Sequence, residues 1–224
     1  MSAIKVTAFK WVPPFAQGLV RDLRVRWALG EAGLAYKEQL IDPEVQKSAS
    51  YRRLQPFGQV PVLEHDGQTL FESGAIVLHV ADRSEALMPT GASERELVRT
   101  WVFAALNTVE PPILTLNVID LQPGGAPPGT EQLRQAIIDR IASRLDSVAA
   151  FLGDRDHLVA GRFTAADLLM TTVLRILRTT ELVSQRPTLA AYLARGEARP
   201  AFQRALAAQM ATFAAHAPPQ RQPT

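Results

Sequence analysis

The chain has 224 residues, of which 47% are hydrophobic and 21% charged, with a nearly balanced net charge of +2 and no cysteine. This length allows one large domain or two small ones, and the apolar share excludes a disordered chain. Without cysteine there can be no disulfide, no protein thiolate nucleophile and no thiolate metal site, so thiol chemistry would need a thiol carried by a ligand.

Strand and helix patterns alternate in the first third of the chain, which predicts a small α/β domain. The predicted elements, in chain order, are a strand at 4–9, a helix ending at Gly33, a strand at 36–41, a hairpin over 60–71 and a helix starting near 73. The hairpin is predicted from an Asp-Gly turn between two β-rich segments.

After residue 89 the β pattern is replaced by helical periodicity. A helix over 93–120 is predicted to break at Pro111-Pro112, and apolar residues recur every three or four positions through 133–152. Three more helices are predicted at about 165–180, 188–195 and 200–216. The predicted organisation is an α/β domain at 1–84, an all-helical domain at 92–216 and a polar, frayed tail at 217–224.

A proline interrupts a predicted strand at Val60-Pro61-Val62. Proline lacks the amide donor of the strand ladder, so it belongs at a strand start, an edge or a bend. A cis Val60–Pro61 bond would turn the amide and carbonyl of Val60 outward, where they could pair with an extended peptide. The alternative is a trans proline that only blunts an edge strand, since most X-Pro bonds are trans.

The pair Glu72-Ser73 stands where a predicted strand gives way to a helix. A serine at a helix start is most often an N-cap, whose oxygen accepts from free backbone amides. A helix N-terminus also attracts carboxylates, and the carboxylate of Glu72 could bind an ammonium group. Together the two residues suit the α-amino acid end of a ligand, which carries both charges.

These two features lie in one segment, PFGQVPVLEHDGQTLFESGAIVLHVADR at 56–83. It closely resembles the N-terminal thioredoxin-like domain of cytosolic glutathione S-transferases. The segment RVRWALGEAGLAYKE at 24–38 resembles the first helix and second strand of the same domain. The resemblance covers roughly residues 4–205 and implies a thioredoxin-like α/β domain followed by an all-helical domain.

The resemblance implies glutathione as a substrate and no metal. In the family, the proline of the V-P pair is cis, the residue before it pairs with the cysteinyl backbone of glutathione, and the E-S pair holds the γ-glutamyl end. Two candidates, Gln46 and Lys47, would reach the glycine carboxylate, although a solvated loop face is the alternative for them. The glutathione-binding candidates are Gln59, Val60, Pro61, Glu72, Ser73, Lys47, Gln46, Trp11 and Gln17.

The residue that activates the glutathione thiol in the family has no counterpart here. Registration on Gly33 places the usual Ser or Cys positions at 19–22, and residues 8–33 contain no Ser, Thr, Tyr or Cys. Because a nearby cation lowers the pKa of a thiol, Arg21 is the candidate catalytic residue, at a position where some members have an arginine. The alternative is a surface ion pair between Arg21 and Asp22.

A second resemblance lies in the helical half, where GRFTAADL occupies 161–168. In a capping box the Thr164 oxygen accepts from the Asp167 amide, and the Asp167 carboxylate accepts from the Thr164 amide. The segment resembles the family's capping motif in the core helix of the C-terminal domain. We therefore expect Asp167 to be a structural residue and not a catalytic acid.

The resemblance further implies that glutathione sulfur attacks a small apolar electrophile in the cleft against the helical domain. Trp101, Asn107 and Val109 are the candidate electrophile contacts, although a tryptophan at helical spacing is more often a core residue. The family normally forms homodimers, and detoxification is the expected role. The alternatives are a glutathione-binding or ligand-binding protein with little turnover, and an interaction module with the transferase fold.

Several partners and locations are not expected. Nucleic-acid binding is typical of clustered basic residues with stacking aromatics, whereas the arginines here alternate with acidic or apolar residues. No run approaches the ~18 apolar residues of a membrane span, and the histidines lack the paired spacing of a metal site. The N-terminus lacks the features of a signal peptide, so a cytoplasmic location is expected.

Overall fold

The computed structural model describes residues 3–122 and 124–219. The chain divides into two compact units. The first contains the residues up to Arg83 together with the segment from Arg199 onward, and the second spans Ser84–Ala198. Of the predicted tail, residues 217–219 are exposed and form no helix or strand, and 220–224 lie outside the described residues.

The regular elements follow the predicted order of a thioredoxin-like sheet followed by helices. The strands are β1 (Ile4–Phe9), β2 (Tyr36–Ile41), β3 (Val62–His65) and β4 (Gln68–Phe71). The α-helices are α1 (Asp22–Glu31), α2 (Pro43–Lys47), α3 (Ala49–Leu54), α4 (Ser73–Ala81), α5 (Ala92–Phe103), α6 (Glu110–Asp120), α7 (Glu131–Leu152), α8 (Ala165–Leu174), α9 (Pro187–Glu197) and α10 (Pro200–Ala215). Short 3-10 turns occur at Pro14–Ala16 and Arg175–Leu177.

A four-stranded mixed sheet lies at the centre of the first unit. Its order is β2-β1-β3-β4, in which β1 and β2 are parallel and β3 runs antiparallel to both β1 and β4. In the β3–β4 turn, Asp66 and Gly67 both have positive φ, at 47° and 76°. Two positive φ angles are what a two-residue Asp-Gly hairpin loop requires, so the predicted hairpin is confirmed.

The last helix, α10, packs on α1 within the first unit. The rings of Trp27 and Phe202 meet edge to face with their centroids 4.8 Å apart. Arg199 donates to both carboxylate oxygens of Glu31, at 2.6 and 2.8 Å. The predicted all-helical domain extends to residue 216, whereas the compact second unit ends at Ala198. The sequence predicts the helix at 200–216 but not the helix on which it packs.

Helix continues from 92 to 120 without the predicted break. A π-helical turn at Ala104–Val109 joins α5 to α6, and Pro111 and Pro112 occupy the first turn of α6. Prolines are tolerated there because a π-helical turn already departs from the regular bonding that their missing amides would supply. The predicted break is therefore wrong.

This continuous helix also corrects the expectation of no segment long and apolar enough to cross a membrane. Ala92–Asp120 has 29 residues, and its most apolar stretch of 18 residues is hydrophobic enough to cross a membrane. Of that stretch, 33% is buried in the structure. A single such helix is weak evidence for a membrane, because the core helices of soluble proteins meet the same criteria. Here Val98, Val102 and Ile113 belong to the core of the second unit.

The second unit is built around α7 and α8. The predicted stripe on α7 is buried from Ile137 to Leu152, whereas Leu133 at its start is 57% exposed. All ten residues of α8 are buried. A Cβ atom at Gly196 would lie 2.6 Å from the Thr171 hydroxyl oxygen, so glycine allows α9 to approach α8 closely.

Candidate active site

Three predicted site segments meet at one edge of the sheet in the first unit. Val62, the first residue of β3, pairs with Phe71, the last residue of β4. The start of β3 also lies beside the carboxyl-terminal half of β1, from which the chain continues to α1. The Val60–Pro61 segment, the Glu72-Ser73 pair and the start of α1 therefore share this edge.

The Val60–Pro61 peptide bond is cis, as the family resemblance implies, and the alternative of a trans proline is wrong. The Val60 side chain is only 8% exposed and belongs to a cluster with Ile41, Tyr51 and Val62. Within residues 3–122 and 124–219, the amide and carbonyl of Val60 make no hydrogen bond. The side chain is thus anchored while the backbone polar groups can pair with an extended ligand.

The loop before the cis proline is held by two side chains from α2 and α3. The Tyr51 hydroxyl donates to the carbonyl of Gln59 at 2.7 Å, and the Gln46 amide donates to the carbonyl of Gly58 at 2.8 Å. Burial raises the pKa of Tyr51 to about 12, which keeps its hydroxyl protonated as a donor. Gln46 therefore supports the loop, and its amide nitrogen is already used within the protein.

Glu72 stands in a backbone conformation that non-glycine residues rarely adopt. Its φ is 67° and its ψ is 114°, and it directly precedes α4 with its side chain exposed. Such a conformation costs about 1–3 kcal/mol and persists only where the surrounding structure imposes it. Glu72 is thus exposed next to Ser73, at the sheet edge that carries the other site residues.

Ser73 is the first residue of α4 and does not act as its N-cap. Its hydroxyl oxygen accepts a hydrogen bond from the Arg24 guanidinium, with Nη1 and Oγ 3.2 Å apart. Both residues are only 4% exposed. The interpretation of Ser73 as a simple capping residue is therefore wrong. The sequence does not indicate this contact, because an arginine in a helix usually lies on the solvent face.

Arg21 immediately precedes α1 and is half-buried at the same edge. The alternative of a surface ion pair with Asp22 fails, because Asp22 is 1% exposed. Its carboxylate accepts from Arg26 Nε at 2.6 Å and from Gln209 Nε2 at 2.8 Å. Burial raises the pKa of Asp22 above its ordinary value of 3.8, and the Arg26 guanidinium opposes that rise.

The other glutathione-binding candidates lie on segments that leave the same edge. Trp11 lies in the segment that joins β1 to α1 and is half-buried. In the same segment, the side-chain amide of Gln17 donates to the carbonyl of Val12 at 3.0 Å. Lys47 is exposed at the end of α2, which follows β2. Because β1 and β2 are parallel, their following segments start from one edge.

The three electrophile candidates occupy different environments in the second unit. Val109 is 3% exposed and belongs to the core, so its predicted contact with a ligand would require repacking. The Trp101 ring packs against the Phe151 ring, with the centroids 4.4 Å apart. Asn107 lines a cavity of about 370 Å³, together with Arg140 and Arg144 from α7.

The predicted capping box at α8 is present. The Asp167 carboxylate accepts from the Thr164 amide at 2.9 Å, and its other oxygen accepts from the Leu158 amide and the Tyr192 hydroxyl, also at 2.9 Å. Burial raises the pKa of Asp167, although these donors oppose the rise. Its bonds lie within the protein, as expected of a structural residue.

Comparison with known proteins identifies the family. The glutathione S-transferase N-terminal domain matches residues 9–82, and the C-terminal domain matches 116–200. Glutathione S-transferase 3 of Zea mays is 31% identical over 199 residues, covering 83% of this chain and 88% of the relative. The chain belongs to the glutathione S-transferase family.

Solved structures of glutathione S-transferases agree with the fold. Poplar glutathione transferase F1 is 25% identical and superimposes with a TM-score of 0.79, covering 94% of this chain and 100% of the poplar chain. A family member from Pseudomonas fluorescens pf-5, described with two glutathione bound, is 22% identical with a TM-score of 0.79. The superposition covers 91% of this chain and 92% of the Pseudomonas chain. The resemblance and the fold class are confirmed.

The two matched glutathione S-transferase domains divide the candidate residues. Residues 9–82 contain all the glutathione-binding candidates and Arg21, and 116–200 contain the capping box. Trp101, Asn107 and Val109 fall between the two matched regions, which leaves the electrophile candidates without support from the family match.

Proposed function

We propose that this protein is a glutathione S-transferase that transfers or conjugates the glutathione thiolate to a small apolar electrophile. The observation that carries the proposal is the meeting of cis Val60–Pro61, Glu72-Ser73 and the start of α1 at one edge of the sheet. A γ-glutamyl tripeptide can pair its backbone with protein backbone groups. Its charged groups can bind side chains of opposite charge and a helix N-terminus.

Each part of glutathione has a chemically matched partner in the proposed complex. The backbone of Val60, just before β3, pairs with the backbone of the cysteinyl residue. Ser73 and the first amides of α4 bind the α-carboxylate, and Glu72 binds the α-ammonium group. The support from Tyr51 and Gln46 holds the Gln59–Pro61 backbone in place for this pairing.

Activation of the thiol is assigned to Arg21 at the N-terminus of α1. A guanidinium and a helix N-terminus both favour the thiolate over the neutral thiol, which has a pKa near ~8.5 in solution. Arg21 directly precedes the first turn of α1, so its charge adds to that of the helix N-terminus.

Titration of the bound thiol tests this assignment. In the glutathione complex we expect thiolate absorbance to appear at a lower pH than in free glutathione. Arg21→Ala should move the midpoint of this titration back toward the midpoint of free glutathione. Arg83→Ala, at an exposed arginine beyond α4, is the matched control and should leave the midpoint unchanged. A profile that is identical in wild type and Arg21→Ala would exclude Arg21 as the activating residue.

A second candidate function is binding of glutathione with little turnover. It is favoured by the absence of Ser, Thr, Tyr and Cys from residues 8–33, where the family's hydroxyl or thiol donor stands. Calorimetry with glutathione, followed by conjugation assays with 1-chloro-2,4-dinitrobenzene and other electrophiles, separates the functions. Binding and conjugation support the transferase, binding alone supports the second candidate, and no binding supports an interaction module.

The remaining expectations complete the proposal. By family resemblance we propose a homodimer in the cytoplasm with a role in detoxification. Light scattering after size-exclusion chromatography tests the dimer directly, because the mass of a monomer at micromolar concentration would contradict it.

A further inference from the structure

Arg24 contacts the serine that the proposed function assigns to the γ-glutamyl end of glutathione. Its Nη1 lies 3.2 Å from Ser73 Oγ, and the two residues are 49 positions apart on α1 and α4. A guanidinium carries donors and no acceptor, so the serine oxygen must be the acceptor in this bond. The hydroxyl proton is thereby left for a different acceptor.

The position of this bond defines which ligand group it favours. Ser73 begins α4, where the first backbone amides have no partner within the helix and attract an anion. Arg24 adds a positive charge at 4% exposure, where solvent screens it less than it screens a surface charge. A hydroxyl donor, free amides and a cation all favour a carboxylate and disfavour an ammonium group.

We propose that Arg24 is a positioning residue for substrate recognition, which fixes the Ser73 hydroxyl as a hydrogen-bond donor to the α-carboxylate of the substrate. This inference rests on the proposed function, because it takes Ser73 as the contact of the γ-glutamyl end. It adds that Arg24 contributes to the preference of this site for ligands that carry an α-carboxylate at that end. Glu72, exposed next to Ser73, serves the ammonium group of the same ligand end.

Arg24 could instead serve only to pack α1 against α4, and the two roles differ in what they predict. A packing role changes the whole site, so removal of Arg24 would weaken all ligands by a similar factor. The proposed role acts on one ligand group, so removal would weaken only ligands that carry the α-carboxylate. Affinity for two ligands that differ in that group therefore separates them.

The test uses glutathione and γ-aminobutyryl-cysteinylglycine, which lacks only the α-carboxylate, with dissociation constants measured by calorimetry. Wild type should bind glutathione at least about tenfold more tightly than γ-aminobutyryl-cysteinylglycine. This is the difference in affinity that one charge-assisted hydrogen bond provides. Ser73→Ala and Arg24→Met should each reduce this preference to about threefold or less, and the double variant should lose little more. Lys5→Met, which removes a charge from the opposite end of β1, should keep the full preference.

Equal weakening of both ligands by Arg24→Met, or additive losses in the double variant, would overturn the inference. If wild type binds neither ligand, the proposed function fails instead. Circular dichroism checks that Arg24→Met folds, and Arg24→Lys should retain part of the preference because lysine keeps a donor and the charge. A crystal structure of wild type with glutathione needs no variant. It should show Ser73 Oγ within hydrogen-bond distance of the α-carboxylate, and a serine turned away from it contradicts the role.

Discussion

Gln209 on the last helix holds Asp22 at the start of α1. Gln209 Nε2 lies 2.8 Å from Asp22 Oδ1 and 3.2 Å from the carbonyl oxygen of Val20, and both side chains are buried. The segment that leads into α1 is therefore held by a residue from the carboxyl-terminal part of the chain. In this way α10 supports the edge of the sheet that carries the candidate active site.

Replacement of Gln209 should destabilise the protein. Gln209→Leu removes one of the donors to the buried Asp22 carboxylate, and we expect the free energy of unfolding to fall by about 1–3 kcal/mol. Urea unfolding measures this change. Arg204→Gln, at an exposed position on the same helix, is the control and should stay within about 0.5 kcal/mol of wild type. Equal effects of the two substitutions would mean that the Gln209–Asp22 bond contributes nothing.

Glu38 should make stability depend on pH in the acid range. Burial by itself would raise the pKa of Glu38, but the hydrogen bond from Arg26, at 2.6 Å, the charge of Arg26 and the hydrogen bond from Thr212 together outweigh burial and hold the pKa below its ordinary value of 4.5. The folded protein then binds fewer protons than the unfolded chain just below pH 4.5. Stability from this group is complete above that pH and is lost as the pH falls through the lower, folded pKa.

Glu38→Gln should therefore flatten the fall in stability below pH 4.5. Urea unfolding at a series of pH values from about 3 to 7 measures the slope, which linkage relates to proton uptake. Glu85→Gln is the control, since Glu85 is exposed and has no ion pair among the described residues. A slope that is the same in wild type and Glu38→Gln would show that the Arg26–Glu38 pair does not contribute to acid sensitivity.

Loss of Asp167 should be costly because its carboxylate receives several buried donors. Asp167→Ala leaves the Thr164 amide, the Leu158 amide and the Tyr192 hydroxyl without their acceptor, and we expect a loss of at least about 2 kcal/mol of unfolding free energy. Asp156→Ala breaks only an exposed ion pair with Arg195 and should cost less than about 1 kcal/mol.

A catalytic Asp167 would give the opposite result. In that case Asp167→Ala would abolish conjugation while the urea midpoint stayed close to that of wild type. Measurement of both quantities on the same preparations distinguishes a structural from a chemical role.

Relief of the backbone strain at Glu72 should raise stability and weaken binding together. Glu72→Gly accepts the φ of 67° without the side-chain penalty, and we expect a gain of about 1 kcal/mol in unfolding free energy. The same change removes the carboxylate proposed to bind the α-ammonium group, so affinity for glutathione should fall by about tenfold.

Ala160→Gly is the matched control for this prediction. Ala160 also has a positive φ, 57°, and is exposed, but it lies in the second unit. It should gain stability to a similar extent and keep the affinity for glutathione. Unchanged affinity in Glu72→Gly would remove Glu72 from the binding site.

The sequence by itself determined the local features of this protein and its family. The Asp-Gly hairpin, the stripe of α7 and the capping box at Thr164 and Asp167 all follow from residues close together in the chain. Each rests on a short-range rule of turn geometry, periodicity or hydrogen bonding, which a sequence window contains in full.

Only the tertiary structure decided which distant residues meet. Arg24 and Ser73 are 49 positions apart in the chain, and Gln209 and Asp22 are 187 positions apart. No local sequence pattern around these residues indicates which residue each one contacts. The hydrophobic effect buries an apolar face without specifying what covers it, so the prediction of a helix at 200–216 does not show that this helix packs on α1.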